Sequence, residues 1–273
     1  MQLIDTHCHI HEADDFVRLQ TETRTRYEKA GVHNSDEILA EANAADVTSL
    51  ICVGTTLEDS ELAVHFAQKH KNVWASIGLH PHEAKLYVND LDKLARFATL
   101  AKQSKVVAVG ECGLDYFYNH SSKVDQEKIL RFQMELALSN DLPMIFHVRE
   151  AFEDFWPILD GYVGVRGVIH SFTATQKELD ATLKRGLYVG LNGIVTFTTS
   201  AEQLAAIKSV PLEKMLLETD APFLTPKPYR GKICMPKHVR LTAEFLSDLR
   251  GETLERIADV STSNARFLFS LET

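Results

Sequence analysis

Eight short apolar, β-branched runs recur along the chain, each followed by a segment with helical patterning, and this alternation constrains the fold more than any other feature. The runs are Leu3–His7, Ser49–Val53, Val73–Ile77, Val106–Val109, Met144–His147, Gly167–His170, Leu187–Leu191 and Met215–Glu218. Runs of this kind read as parallel strands buried on both faces. The segments that follow are amphipathic. Leu62, His65 and Phe66 share one face of residues 58–70, and Leu130, Met134, Ala137 and Leu138 share one face of residues 124–140. Thr173-x-x-Gln176 and Ser200-x-x-Gln203 match capping boxes. Eight strand–helix units in 273 residues indicate an α/β fold, a (β/α)8 TIM barrel forming one domain over residues 1–273. A doubly wound open sheet is the alternative and would need fewer strands. Two regions break the rhythm. Residues 11–35 form a long polar connection. Residues 221–237 carry Pro222, Pro226, Pro228 and Pro236 and read as a loop after the eighth strand, before a helical stretch over 238–269.

Composition narrows the setting. The 45% hydrophobic and 25% charged content is that of a globular chain with a sizeable core. No apolar run approaches the roughly 20 residues a membrane helix needs, and the first residues lack a basic stretch followed by an apolar one, so neither membrane insertion nor a signal peptide is expected. Cys8, Cys52, Cys112 and Cys234 are scattered without a Cys-x-x-Cys pair, which fits buried thiols in a reducing cytoplasm. The net charge of −9 disfavours nucleic acid or an acidic membrane as a partner unless a local positive patch overrides it.

Six ligand-type residues obey one positional rule. His7 and His9 end the first run, Glu111 follows the fourth, His147 the fifth, His170 the sixth and Asp220 the eighth. In a barrel those strand ends lie on the face that carries active sites. His7 and His9 are two apart, so on a strand both side chains point the same way. Imidazole and carboxylate donors suit Zn, Mn or Mg, and a carboxylate at Glu111 has the position to bridge two ions. Taken singly, each residue has a blander reading: a structural histidine, or a turn residue in the case of Asp220 before Ala-Pro.

At these positions the chain closely resembles the TatD family of metal-dependent deoxyribonucleases, within the amidohydrolase-like barrels. The matching stretches are Ile4-Asp5-Thr6-His7-Cys8-His9, Ile77-Gly78-Leu79-His80-Pro81, Val109-Gly110-Glu111-Cys112-Gly113-Leu114-Asp115-Tyr116, Pro143-Met144-Ile145-Phe146-His147-Val148-Arg149 and Leu217-Glu218-Thr219-Asp220-Ala221-Pro222. The resemblance implies two divalent ions, one held by His7, His9, Glu111 and Asp220, the other by Glu111, His147 and His170. It implies hydrolysis of phosphodiester bonds in DNA, often from the 3′ end. One stretch departs from the family pattern. Where an Asn-(Glu)-Pro element usually follows an Arg, this chain reads Arg230-Gly231-Lys232-Ile233-Cys234-Met235-Pro236, which bears on substrate preference.

The expected chemistry is metal-assisted attack of water on phosphorus, with Asp220 orienting the water or taking its proton and Glu111 bridging. Glu218 faces the same way as Asp220 and supports a ligand or the core. Substrate contacts are expected from His80, His82 and Arg149, and from a basic stretch with Lys227, Arg230, Lys232, Lys237 and Arg240 and no acidic residue from 221 to 243. Tyr116, Phe117 and Tyr118 are candidates to stack on unpaired bases at single-stranded DNA ends, with core packing of Phe117 as the alternative. No protein partner is evident. Two other functions stand beside the nuclease: a hydrolase of small phosphoesters, amides or lactones, and a non-catalytic barrel stabilised by its metals.

Overall fold

The structure, a computed structural model, describes residues 1–118 and 120–271. Eight strands run through it: β1 (Leu3–Cys8), β2 (Val47–Val53), β3 (Val73–Ile77), β4 (Val106–Asp115), β5 (Met144–Arg149), β6 (Gly167–Ile169), β7 (Tyr188–Leu191) and β8 (Met215–Leu217). The helices are α1 (Glu22–Lys29), α2 (Ser35–Ala44), α3 (Leu57–Lys69), α4 (Ala84–Tyr87), α5 (Leu91–Leu100), α6 (Lys123–Ser139), α7 (Phe152–Asp160), α8 (Gln176–Lys184), α9 (Ala201–Ser209), α10 (Val239–Arg250) and α11 (Leu254–Phe269). The strands form one sheet in sequence order, β1 to β8, and the pairings β1–β2, β3–β4, β4–β5, β5–β6 and β7–β8 are parallel. Beyond β8 the chain returns to β1. Thr6 Oγ1 donates to Leu217 O at 3.0 Å, and Cys8 bridges Ala221 in parallel register. Sequential order with first and last strands in contact is the topology of a (β/α)8 barrel; a doubly wound sheet would reverse its order at a switch point.

Contacts divide the chain into two compact units, Met1–Cys52 with the segment from Ser171 onward, and Val53–His170. In the first unit, β1 is buried along its whole length. Asp5 ties it to the exit of β8: its Oδ1 accepts from Thr219 N at 2.9 Å and its Oδ2 from Thr219 Oγ1 at 2.6 Å. In the second unit, β4 and β5 approach closely at Gly113, where a Cβ would stand 1.9 Å from His147 O. Only glycine fits there, and its φ of +150° is one that side-chain-bearing residues avoid.

Several sequence expectations need correction. The polar connection over 11–35 contains α1, an eight-residue helix capped by Thr21, whose side chain accepts from Arg24 N. Its sequence lacks an apolar stripe; Tyr27 is its buried anchor. The cap of α8 is Thr175, not Thr173, whereas Ser200 caps α9 as read, accepting from Gln203 N. On α3 the buried face is Ser60, Ala63, Val64 and Ala67 with Phe66, and His65 is exposed. On α6, Leu130, Met134 and Ala137 are buried, and Leu138 is exposed. The stretch 238–269 is two helices, parted where Gly251 takes φ 66° and stops α10.

Candidate functional site

The ligand-type residues gather in two clusters, one in each unit. In the first, β1 delivers His7 from its last turn of pleat, and His9 follows one residue past the strand. Asp220 is brought to them by backbone pairing. Asp220 N donates to His7 O at 2.8 Å, and His9 N donates to Ala221 O at 2.8 Å. Asp220 adopts φ 62°, a left-handed conformation that Asp tolerates better than most residues but that still has to be held in place. The anchor is Thr219, gripped by Asp5. Burial raises the Asp5 carboxyl well above the usual carboxylate range, against the lowering effect of its Thr219 hydrogen bonds. The result is a compact donor set: His7 Nε2 lies 3.5 Å and His9 Nε2 3.4 Å from Asp220 Oδ1. Donors sharing a tetrahedral ion at bonds of ~2.1 Å stand ~3.4 Å apart, and each histidine stands at that spacing from Asp220 Oδ1.

In the second unit, Glu111 lies within β4, which runs on to Asp115 rather than stopping at Val109. Glu111 Oε1 stands 2.8 Å from His147 Nδ1, 3.5 Å from His80 Nε2 and 3.9 Å from His170 Nε2. His80, Glu111 and His147 offer donor atoms that all lie within 4.8 Å of one another. Burial depresses the His80 imidazole to about 4, which keeps it neutral at ordinary pH. His147 goes the other way: against burial, hydrogen bonds to Asp115 and Glu111 raise it to about 9.

Asp115 is the residue the sequence reading missed. Its buried Oδ2 faces His147 Nε2 at 2.9 Å and His82 Nε2 at 3.1 Å, while Oδ1 accepts from Phe117 N at 3.0 Å and Tyr118 N at 2.9 Å. Burial would raise its carboxyl, but these bonds, led by those from His147 and His82, hold it well below the usual range. The signals available in the sequence are its place in the family-matching stretch Val109–Tyr116 and directly before three aromatic residues, on the strand that carries Glu111. Glu218 is buried too. Its Oε1 accepts from Ser171 N at 2.6 Å, and the missing Cβ of Gly190 leaves it room.

The proposed substrate contacts separate. Arg149 at the end of β5 is exposed, with its guanidinium 4.1 Å from the Phe117 ring centre and 4.9 Å from that of Tyr118. Phe117 is 49% exposed, so it does not belong to the core. Tyr116 turns elsewhere: Lys123 Nζ covers its ring at 3.7 Å, and burial and a hydrogen bond to Asp154 push its hydroxyl above the usual range. In the basic stretch, Lys237 pairs with Glu41 at 2.8 Å, and Arg240 pairs with Asp46 and Glu244. The positive patch is thereby reduced to Lys227, Arg230 and Lys232, with Arg230 packed 4.3 Å over Phe197. Cys234, in the departing stretch, is buried, and its N–H donates to Pro222 O. All four cysteines are free and buried. No helix among the described residues is long and apolar enough to cross a membrane.

Comparison with known proteins agrees with this chemistry. The 3′-5′ ssDNA/RNA exonuclease TatD of Cronobacter sakazakii is 37% identical over 247 residues, covering 87% of this chain and 92% of that protein. The metal-dependent hydrolase YabD of Bacillus subtilis is 36% identical over 238 residues, 86% of this chain and 92% of its own. A crystal structure of the TatD homologue YjjV from Escherichia coli superposes with a TM-score of 0.85 at 27% identity, covering 99% of this chain and 98% of that one. The family model for TatD-related DNases matches residues 4–270, and the chain belongs to that family of metal-dependent hydrolases.

Proposed function

We propose that this protein is a two-metal phosphodiesterase that removes nucleotides from the 3′ ends of single-stranded DNA, with residues 1–273 acting as one catalytic domain in the cytoplasm. The observation that carries the reading is the donor spacing in both clusters, 3.4–3.5 Å around Asp220 and 2.8–3.9 Å around Glu111. In this reading His7, His9 and Asp220 would hold one ion, and Glu111, His147 and His170 would hold the other. Divalent ions there, Mg, Mn or Zn by donor type, would supply Lewis acidity and lower the pKa of bound water toward neutrality.

The chain's own residues do the rest. Asp220 orients the attacking water and receives its proton, a role suited to a carboxylate held by its backbone rather than by its own flexibility. Asp115 fixes the orientation of His147, as outer partners of ligating histidines commonly do. Arg149 offers a fork of N–H donors to phosphate oxygens. His80 adds a neutral donor beside Glu111, and Arg230 reaches the strand from the loop after β8. Tyr116 contributes packing at the same turn. The Cys234–Met235 departure supports a second reading, hydrolysis of a small phosphoester in place of DNA, because it removes polar groups from that loop.

The test is a 5′-labelled single-stranded oligonucleotide incubated with purified protein and Mg, Mn or Zn. A ladder shortening from the 3′ end, abolished by EDTA and by His147→Ala, is expected. No cleavage with any of the three ions, or equal cleavage by His147→Ala, would sink the reading. Faster turnover of a small phosphoester than of DNA would favour the second one.

A further inference from the structure

Just past Asp115 the chain turns two large rings outward. Phe117 and Tyr118 are 49% and 42% exposed and pack edge to face at 4.7 Å. Exposed aromatic rings cost hydrophobic stabilisation, so two in succession on a well-held turn call for an occupant. The turn is well held. Asp115 Oδ1 accepts both of their backbone N–H groups, and its Oδ2 faces His147. A single buried carboxylate thus sets the rings and a metal-ligand candidate in fixed register. From there a run of rings leads outward, with His147 to His82 at 6.4 Å and His82 to Tyr118 at 5.4 Å. Arg149 lies over one face of each exposed ring, 4.1 Å from the centre of Phe117 and 4.9 Å from that of Tyr118, and among the described residues no carboxylate pairs with it. Flat apolar faces beside an unpaired guanidinium match a flat apolar base attached to an anionic backbone.

We infer that Phe117, Tyr118 and Arg149 form a stacking platform for unpaired nucleobases of the substrate strand, so that single-strandedness is read next to the hydrolytic centre. This rests on the nuclease reading and names the part of the substrate that the site grips. A duplex end keeps its bases stacked on one another and cannot present their faces to the rings. Tyr116 is not part of the platform, since its side chain is half-buried where Phe117 and Tyr118 are exposed.

The experiment measures binding of the metal-free protein to two labelled strands of equal length, oligodeoxyadenylate and an abasic strand with the same phosphates. Wild type is expected to prefer the base-bearing strand by roughly 10–100-fold, and Phe117→Ala/Tyr118→Ala to bind both strands at the abasic level. Phe117→Leu/Tyr118→Leu, which keeps apolar volume without aromatic faces, is expected to lose the preference as well; Phe117→Trp is expected to keep it. A wild type with no preference, or a double variant that retains it, overturns the platform. Cleavage of the same strands with added metal is scored separately. Absence of cleavage counts against the nuclease reading, while the base preference is decided by binding alone.

Discussion

Replacing Asp115 by Asn tests how the protein orients a metal ligand without changing its shape. Asp115 Oδ1 accepts two backbone N–H groups, from Phe117 and Tyr118, and Oδ2 faces the Nε2 atoms of His147 and His82. In the Asp115→Asn protein the new carbonyl oxygen must stay with the two N–H groups, because the flipped amide would set its own N–H donors against them. The NH2 group then points at His147 Nε2, which has to accept a hydrogen bond and so loses its proton to Nδ1. Nδ1 is the atom 2.8 Å from Glu111, the one placed to meet an ion, and a protonated nitrogen cannot ligate. Loss of such an outer partner typically weakens metal affinity by about 10–100-fold, which is about 1.4–2.7 kcal/mol. Calorimetric titration of Mn or Zn into the two proteins is expected to show that loss, and the metal-free Asp115→Asn protein is expected to melt below wild type at neutral pH, because the charged bond from His147 to Asp115 is gone. Asp115→Ala also strips the acceptor from two N–H groups and should destabilise the metal-free fold by about 2–5 kcal/mol. An Asp115→Asn protein with wild-type metal affinity would refute the tautomer argument.

Three further outcomes follow from the same geometry. Gly190→Ala places a Cβ 2.4 Å from Glu218 Oε2 in a buried setting, so Glu218 must shift off Ser171 N; a loss of about 1–3 kcal/mol in urea unfolding is expected, and a neutral result would mean the pocket yields freely. In the metal-free protein His147 should titrate near 9 by NMR. Because its folded value is raised, its stabilising effect is complete below its ordinary value of 6.5 and disappears as pH rises through about 9; the stability gap between wild type and His147→Gln should therefore close across that window, and a gap that widens would contradict the assignment. Removal of the Arg24 guanidinium, which donates to Ala13 O at 2.7 Å and Asp14 O at 2.8 Å, should loosen the segment after β1, seen as faster amide exchange there in Arg24→Ala, and unchanged exchange would show that other contacts suffice.

The barrel was readable because parallel strands buried on both faces must be continuously apolar, and a histidine or carboxylate at the end of such a run stands out as a candidate ligand. Other elements left weaker marks. α1 is helical through a cap, Tyr27 and Arg24, none of which makes a periodic pattern. β4 reads as ending at Val109 because Gly110 and Gly113 interrupt its apolar run, yet these glycines are what let it lie close to β5 and carry Asp115 to His147. Lys237 and Arg240 look like substrate contacts in a local stretch without acids, but their partners Glu41 and Asp46 are distant in sequence. The roles of Asp5 and Asp115 depend on partners far along the chain, and no spacing rule connects Asp5 to Thr219.

The central claim is that the clusters around Asp220 and Glu111 hold divalent ions. Anomalous diffraction from crystals soaked in Mn tests it most directly. Peaks bonded to His7, His9 and Asp220 and to Glu111, His147 and His170 are predicted. Peaks elsewhere, or none at a Mn concentration that supports DNA cleavage, would contradict the account.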